Sequence, residues 1–210
     1  MNTSVVGALH DRLVFSRRAQ VLAKSLSSLL PPQATVLDVG CGDGTIDALM
    51  IERRPDLSIR GLDVLMLPNT KIPVDRFDGE HLPPGDKSFD VVCFVDVLHH
   101  TNDPMTLLRE ARRVARKLVV LKDHTMDSVF AYHTLRLMDW VGNAHHGVAL
   151  PYNYWPETKW KLAFDEIGLQ IEEWRPKIGL YPFPASTVFE RGLHFVAALR
   201  ARPAREIRLR

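Results

Sequence analysis

Between residues 35 and 124 the chain alternates. Short apolar runs, Thr35–Val39 (TVLDV), Ser58–Asp63 (SIRGLD), Val74–Phe77, Asp90–Asp96 (DVVCFVD) and Leu118–Asp123 (LVVLKD), are separated by stretches with helical spacing. Strands joined through helices predict right-handed crossovers and a parallel sheet covered on both faces. The near-continuous apolar content of the fourth and fifth runs fits strands buried on both sides. The expected class is therefore α/β: a doubly wound, mostly parallel, seven-stranded sheet with helices on both faces.

The remainder completes that pattern. Leu9, Leu13, Ala19, Leu22, Ala23, Leu26, Leu29 and Leu30 recur in steps of three and four and predict an amphipathic helix stopped by Pro31-Pro32. Helices are expected from Thr45 to about Arg54, from Pro104 to Ala115 and from Pro156 to Ile167. The second of these carries Arg109, Arg112, Arg113 and Arg116 toward its end, where the helix dipole favours cations. Leu169–Trp174 and Leu193–Leu199 read as the last strands. The organisation expected is an N-terminal helical cap over 1–32, a catalytic domain over 33–200 with an insertion or lid at about 125–155, and a basic tail over 201–210.

The loop after the first strand, Asp38-Val39-Gly40-Cys41-Gly42-Asp43-Gly44, sits where open α/β sheets bind ligands. Glycines there let the backbone turn tightly and approach a ligand. A dinucleotide fingerprint needs glycines at positions one, three and six. The sixth position here is Thr45, and the third glycine comes early, at Gly44. Asp38 and Asp43 flank the loop, and carboxylates favour a ligand carrying positive charge over a pyrophosphate.

In these features the chain resembles the class I S-adenosylmethionine-dependent methyltransferases of the small-molecule and lipid type, over residues 34 to 123. Gly40, Gly42 and Gly44 match the family's glycine motif, with Asp38 as the acid that begins it and Cys41 within it. Asp63, closing the second strand before Val64, matches the acid that binds both ribose hydroxyls. A carboxylate suits that task because it accepts two O–H donors at once. Asp78-Gly79 looks like the adenine-contacting turn. Ser88-Phe89-Asp90 leading into VVCFVDVLHH looks like the fourth-strand motif, which puts Asp96 against the methionine end. The resemblance implies S-adenosylmethionine as cofactor and a cytoplasmic enzyme that methylates oxygen or carbon on a small-molecule or lipid-linked acceptor. Two other classes stay open on the residues alone: a non-catalytic cofactor-binding module of the same fold, and an NAD-dependent oxidoreductase, which the glycine spacing disfavours.

Methyl transfer requires near-attack geometry and exclusion of water, and a base only where the acceptor must lose a proton. Candidates lie beyond the fourth and fifth strands: His99 and His100, then Asp123 and His124, of which His100, Asp123 and His124 are the expected catalytic set. His133, His145 and His146 have no compact ligand spacing, so no metal is expected. The aromatic stretch Trp140–Trp155 (WVGNAHHGVALPYNYW), with Asn143 and Asn153, reads as an acceptor-binding lid. The formal charge of +2 and the sequence Asp96-Val97-Leu98-His99, in place of the NPPY type of motif, argue against a nucleic-acid substrate. No apolar run approaches the roughly 20 residues that span a bilayer. The first residues lack the pattern of a secretory leader, and two cysteines, Cys41 and Cys93, form no disulfide framework.

Overall fold

The computed structural model describes residues 16–143 and 151–202, with the side chains of 141–143 left out. A helix over residues 16–27 (α1) leads into β1 (Thr35–Val39), α2 (Thr45–Arg53), β2 (Ser58–Asp63), β3 (Val74–Arg76) and β4 (Phe89–Val95). A 3₁₀ turn (Leu98–His100) and α3 (Pro104–Val114) precede β5 (Ala115–His124). Then come α4 (Val129–Asn143), α5 (Glu157–Glu166), β6 (Leu169–Arg175), the short α6 (Ser186–Phe189) and β7 (His194–Ala201).

The seven strands form one sheet in the order β3-β2-β1-β4-β5-β7-β6. All described pairs are parallel except β5 with β7 and β6 with β7. The order reverses between β1 and β4, so the carboxyl ends of those strands open a crevice.

Side-chain alternation along the strands explains the two helical layers. Leu37, Val92, Phe94, Val119 and Leu121 face α3 and α5, joining Leu107, Leu108, Trp160 and Phe164. Val36, Val91, Cys93, Leu118 and Val120 face the opposite way, onto Leu22, Leu26 and Met50 of α1 and α2. Asp103 caps α3 by accepting Met105 N–H, and Pro104 fills the first turn, where a missing N–H costs nothing.

Residues 125–155, the expected insertion or lid, contain a helix not expected from the sequence. Thr125 bridges Trp155, and α4 occupies fifteen residues between them. Its aromatic and β-branched composition hides it from propensity. Its signal is a four-residue step, Ala131–Leu135–Asp139, which forms the buried stripe. The expected helix residues Leu9 and Leu13, the side chain of Asn143, the loop with His145 and His146, and the tail arginines Arg205, Arg208 and Arg210 lie outside the described residues.

Candidate active site

The loop after β1 turns on two glycines in the left-handed region, Gly40 (φ 77°) and Gly42 (φ 59°). A Cβ on Gly40 would stand 2.5 Å from Val97 Cγ2, so the backbone there passes against the turn that follows β4. A Cβ on Gly42 would meet nothing within 4 Å, which leaves a bare backbone face at the crevice. Gly40 N–H and Cys41 N–H both donate to the Leu62 carbonyl, which ties the loop to the end of β2.

Asp63 ends β2 beside this face. Its Oδ2 accepts the Gly42 amide at 2.8 Å, and its Oδ1 accepts the Leu65 amide at 2.9 Å. Two backbone donors thus hold the carboxylate in one orientation next to the glycine turn. Val64, Leu65, Met66 and Leu67 follow it as an exposed apolar run. Asp78 is exposed, and its Oδ1 accepts the amides of Glu80 and His81 at 2.8 and 2.7 Å while Gly79 takes a φ of 91°. These bonds lower the Asp78 pKa, the His81 amide contributing most.

The two acids flanking the loop have different surroundings. Asp38 is buried and faces Asp47 of α2, and burial followed by the Asp47 charge raises its pKa well above the carboxylate range. Burial also pushes Asp47 up to about 6. The pair therefore favours a shared proton beneath the loop. Asp43 accepts the Thr45 amide at 3.0 Å and sits 3.4 Å from Lys71 Nζ. Lys71 offsets the Asp43 charge locally.

A polar cluster occupies the ends of β4, β5 and β7. Asp96 takes a left-handed backbone (φ 57°) directly after β4. Its carboxylate binds Lys122 from within β5 and Arg18 from α1. Burial opposes the charge, but Lys122 and Arg18 hold Asp96 well below the usual carboxylate range. Lys122 is fully buried, and burial lowers its pKa against the pull of Asp96.

Asp123 is also fully buried, and its oxygens are committed: Oδ2 accepts the Leu98 amide at 3.0 Å, while Oδ1 accepts the His124 amide at 2.7 Å and contacts His99 Nδ1 at 2.6 Å. These bonds hold His99 and the 3₁₀ turn in place. His124 is buried with Nδ1 3.2 Å from the Leu193 carbonyl and Nε2 3.3 Å from Asp96. Burial and then Lys122 drive its pKa well below that of free histidine. His100 is the half-buried member, and burial followed by His99 lowers its pKa.

Four participants escape a reading of the sequence: Arg18, Lys122, Asp139 and Tyr154. Tyr154 donates to Asp139, which lies 3.5 Å from His99 Nε2. Lys122 carries a legible signal, a cation directly after the apolar run Leu118–Leu121 of β5. The other three come together only through tertiary packing.

A family model described as a methyltransferase domain matches residues 12–173, well over half of the chain. The chain belongs to the class I S-adenosylmethionine-dependent methyltransferases. The methyltransferase is 36% identical over 88 residues to a tRNA U34 carboxymethyltransferase of Nautilia profundicola, covering 37% of this chain and 29% of that one. It is 29% identical over 110 residues to 27-O-demethylrifamycin SV methyltransferase of Amycolatopsis mediterranei, covering 45% and 40%. Demethylmenaquinone methyltransferase of Thermotoga maritima is 27% identical over 135 residues, covering 57% and 59%. The methyltransferase thus matches less than two thirds of the length of these curated relatives. A crystal structure of an S-adenosylmethionine-dependent methyltransferase from Mesorhizobium loti superposes with a TM-score of 0.61 at 18% identity, over 84% of this chain and 96% of that one, which shows a shared fold. The family's methyl donor is S-adenosylmethionine. The bare face at Gly42 and the fixed Asp63 carboxylate beside it suit a group with a ribose diol. No helix among the described residues is long and apolar enough to cross a membrane.

Proposed function

We propose that this methyltransferase transfers a methyl group from S-adenosylmethionine to oxygen or carbon of a small-molecule or lipid-linked acceptor. One observation carries the cofactor half of this reading: Asp63 is oriented by the amide of Gly42, so the sugar-binding acid and the glycine turn form one rigid unit. Asp63 holds the ribose hydroxyls. The Gly40-Cys41-Gly42 backbone, above the buried Asp38, lies along the donor. Val64 packs at the purine side, Asp78-Gly79 forms the adenine turn, and Asp96 closes the methionine end.

When bound, S-adenosylmethionine supplies an electrophilic methyl group. Transfer would break the S–CH₃ bond, its electron pair going to sulfur, and form the acceptor–CH₃ bond. The chain's part is positioning and proton handling. Asp123 positions the cluster by holding His99 and the 3₁₀ turn. His124 supports Asp96. His100, the most accessible imidazole of the group, takes the proton of an acceptor hydroxyl, and its lowered pKa keeps it in the neutral form that can accept one.

The rifamycin and menaquinone relatives support a small-molecule or lipid-linked acceptor, whereas the tRNA relative matches only 37% of this chain. The test is transfer of labelled methyl from S-adenosylmethionine into fractionated cell extract. Label in the organic-extractable or small-molecule fraction is expected. Label confined to tRNA would overturn the acceptor class, and cofactor binding without any transfer would indicate a non-catalytic module.

A further inference from the structure

We propose that His99, His100 and Asp139 form a binding site for one first-row divalent transition-metal ion of the zinc or cobalt type. The inference rests on the cluster's being the acceptor end of the site, and it recasts His100 there as a ligand. Each of the three residues offers one ligand atom, and these atoms lie within 4.8 Å of one another. The histidines come from the 3₁₀ turn after β4, and the aspartate comes from α4.

The hydrogen bonds around the cluster decide which atoms are free. Asp123 is an acceptor, so the 2.6 Å contact with His99 puts a proton on Nδ1 and leaves the Nε2 lone pair pointing away from it. That lone pair faces Asp139 Oδ2 at 3.5 Å. Two electron-rich atoms at this distance leave room for a cation, a metal ion or a proton, between them. Tetrahedral bonds of about 2.0–2.1 Å put neighbouring ligand atoms about 3.3–3.4 Å apart, close to this separation. Among the described residues, the buried Nδ1 of His100 has no hydrogen-bond partner, and the His100 ring lies 4.0 Å from that of His99.

Both anchoring ligands are backed in the manner of a metal site. Asp123 fixes the tautomer of His99, and Tyr154 donates to Asp139. A second grouping, Asp96 with His99 and His124, also falls within the distance limit. Lys122 and Arg18 already neutralise Asp96, however, and would repel a dication there. The ion therefore belongs on the Asp139 side. Two imidazoles and one carboxylate favour transition metals over magnesium or calcium and leave positions open for an acceptor oxygen, whose O–H a bound metal acidifies. The rival occupant is a proton, which would make His99 an imidazolium between Asp123 and Asp139.

The metal-stripped full chain is titrated with Co(II) by equilibrium dialysis and visible absorption, and S-adenosylhomocysteine binding is measured on the same sample by calorimetry. One cobalt per chain is expected, with d–d bands of a nitrogen-containing site. H100A and D139N should each weaken cobalt binding tenfold or more, and D123N tenfold to a hundredfold, with S-adenosylhomocysteine affinity unchanged in all three. If D139N fails to fold, H100A decides, because His100 is half-buried. The inference is overturned if the wild type binds S-adenosylhomocysteine but no stoichiometric cobalt, or if cobalt binding is unaltered in H100A. Loss of S-adenosylhomocysteine binding by the wild type would instead sink the methyl-transfer reading, with the cobalt titration still judging the metal site.

Discussion

The Oδ2 of Asp63 accepts the amide of Gly42 at 2.8 Å, joining the end of β2 to the turn after β1. This bond orients the carboxylate before any ligand arrives. Replacing Asp63 by Ala removes both the proposed sugar acceptor and the brace on the loop. S-adenosylhomocysteine affinity should fall by about 1.5–3 kcal/mol, the range for hydrogen bonds to a charged group. Calorimetry on D63A measures it directly, and an unchanged Kd would refute the assignment of Asp63 to the ribose.

The two loop glycines should respond differently to a methyl group. Both have positive φ, and a residue with a Cβ there costs about 1–2 kcal/mol. At Gly40 the new Cβ also strikes Val97 at 2.5 Å, whereas at Gly42 it meets open space. G40A should therefore melt at a clearly lower temperature than G42A. The clash is with a side chain, so adding V97A to G40A should restore part of the loss. Equal melting temperatures for G40A and G42A would mean that the contact with Val97 relaxes freely.

Beneath that loop, Asp38 and Asp47 make a pH-dependent pair of unusual sign. Both carboxyls have folded pKa values raised by burial, Asp47 to about 6. A raised carboxyl pKa means that the folded state binds the proton more tightly than the unfolded chain does. The corresponding stability is fully present below about pH 4 and is lost as pH rises through about 6. Its size is on the order of 1–3 kcal/mol, since one pKa unit corresponds to about 1.4 kcal/mol. D47N should flatten the decline in chemical-denaturation midpoint between pH 5 and 7. A wild-type profile that rises over this interval, with D47N identical to it, would refute the shared proton.

These cases mark what the sequence makes legible. The first strands and the glycine turn follow from local patterns: the TVLDV run, the early third glycine at Gly44, and the acid closing SIRGLD. Each signal lies within a few residues of what it determines. The partners of those residues are another matter. Nothing near Asp38 announces Asp47, which reaches it from the next helix, so the acid reads as an open charge when it is a buried one whose pKa burial raises. The cluster at the far end is harder still. His99 and Asp123 are 24 positions apart, and Asp139 lies on a helix whose stripe of Ala131, Leu135 and Asp139 is masked by exposed Val129, Phe130 and Trp140. Spacing rules for metal ligands look along one element, and these donors come from two.

The buried lysine gives the last prediction. Lys122 has no exposed side-chain surface and binds Asp96, whose other cationic partner is Arg18. Removing one member of a buried pair commonly costs 3–5 kcal/mol, because the remaining charge is stranded. K122M keeps the volume of the side chain within β5, so cavity formation contributes little. Arg18 still reaches Asp96, which is 15% exposed, so the loss should fall near the lower end of that range. Adding D96N removes the stranded charge, and K122M/D96N should be more stable than K122M alone. A double-mutant cycle from denaturant midpoints measures the coupling. Additive losses would mean that Lys122 and Asp96 act independently, and Lys122 would then have to be explained by its 3.3 Å contact with His194.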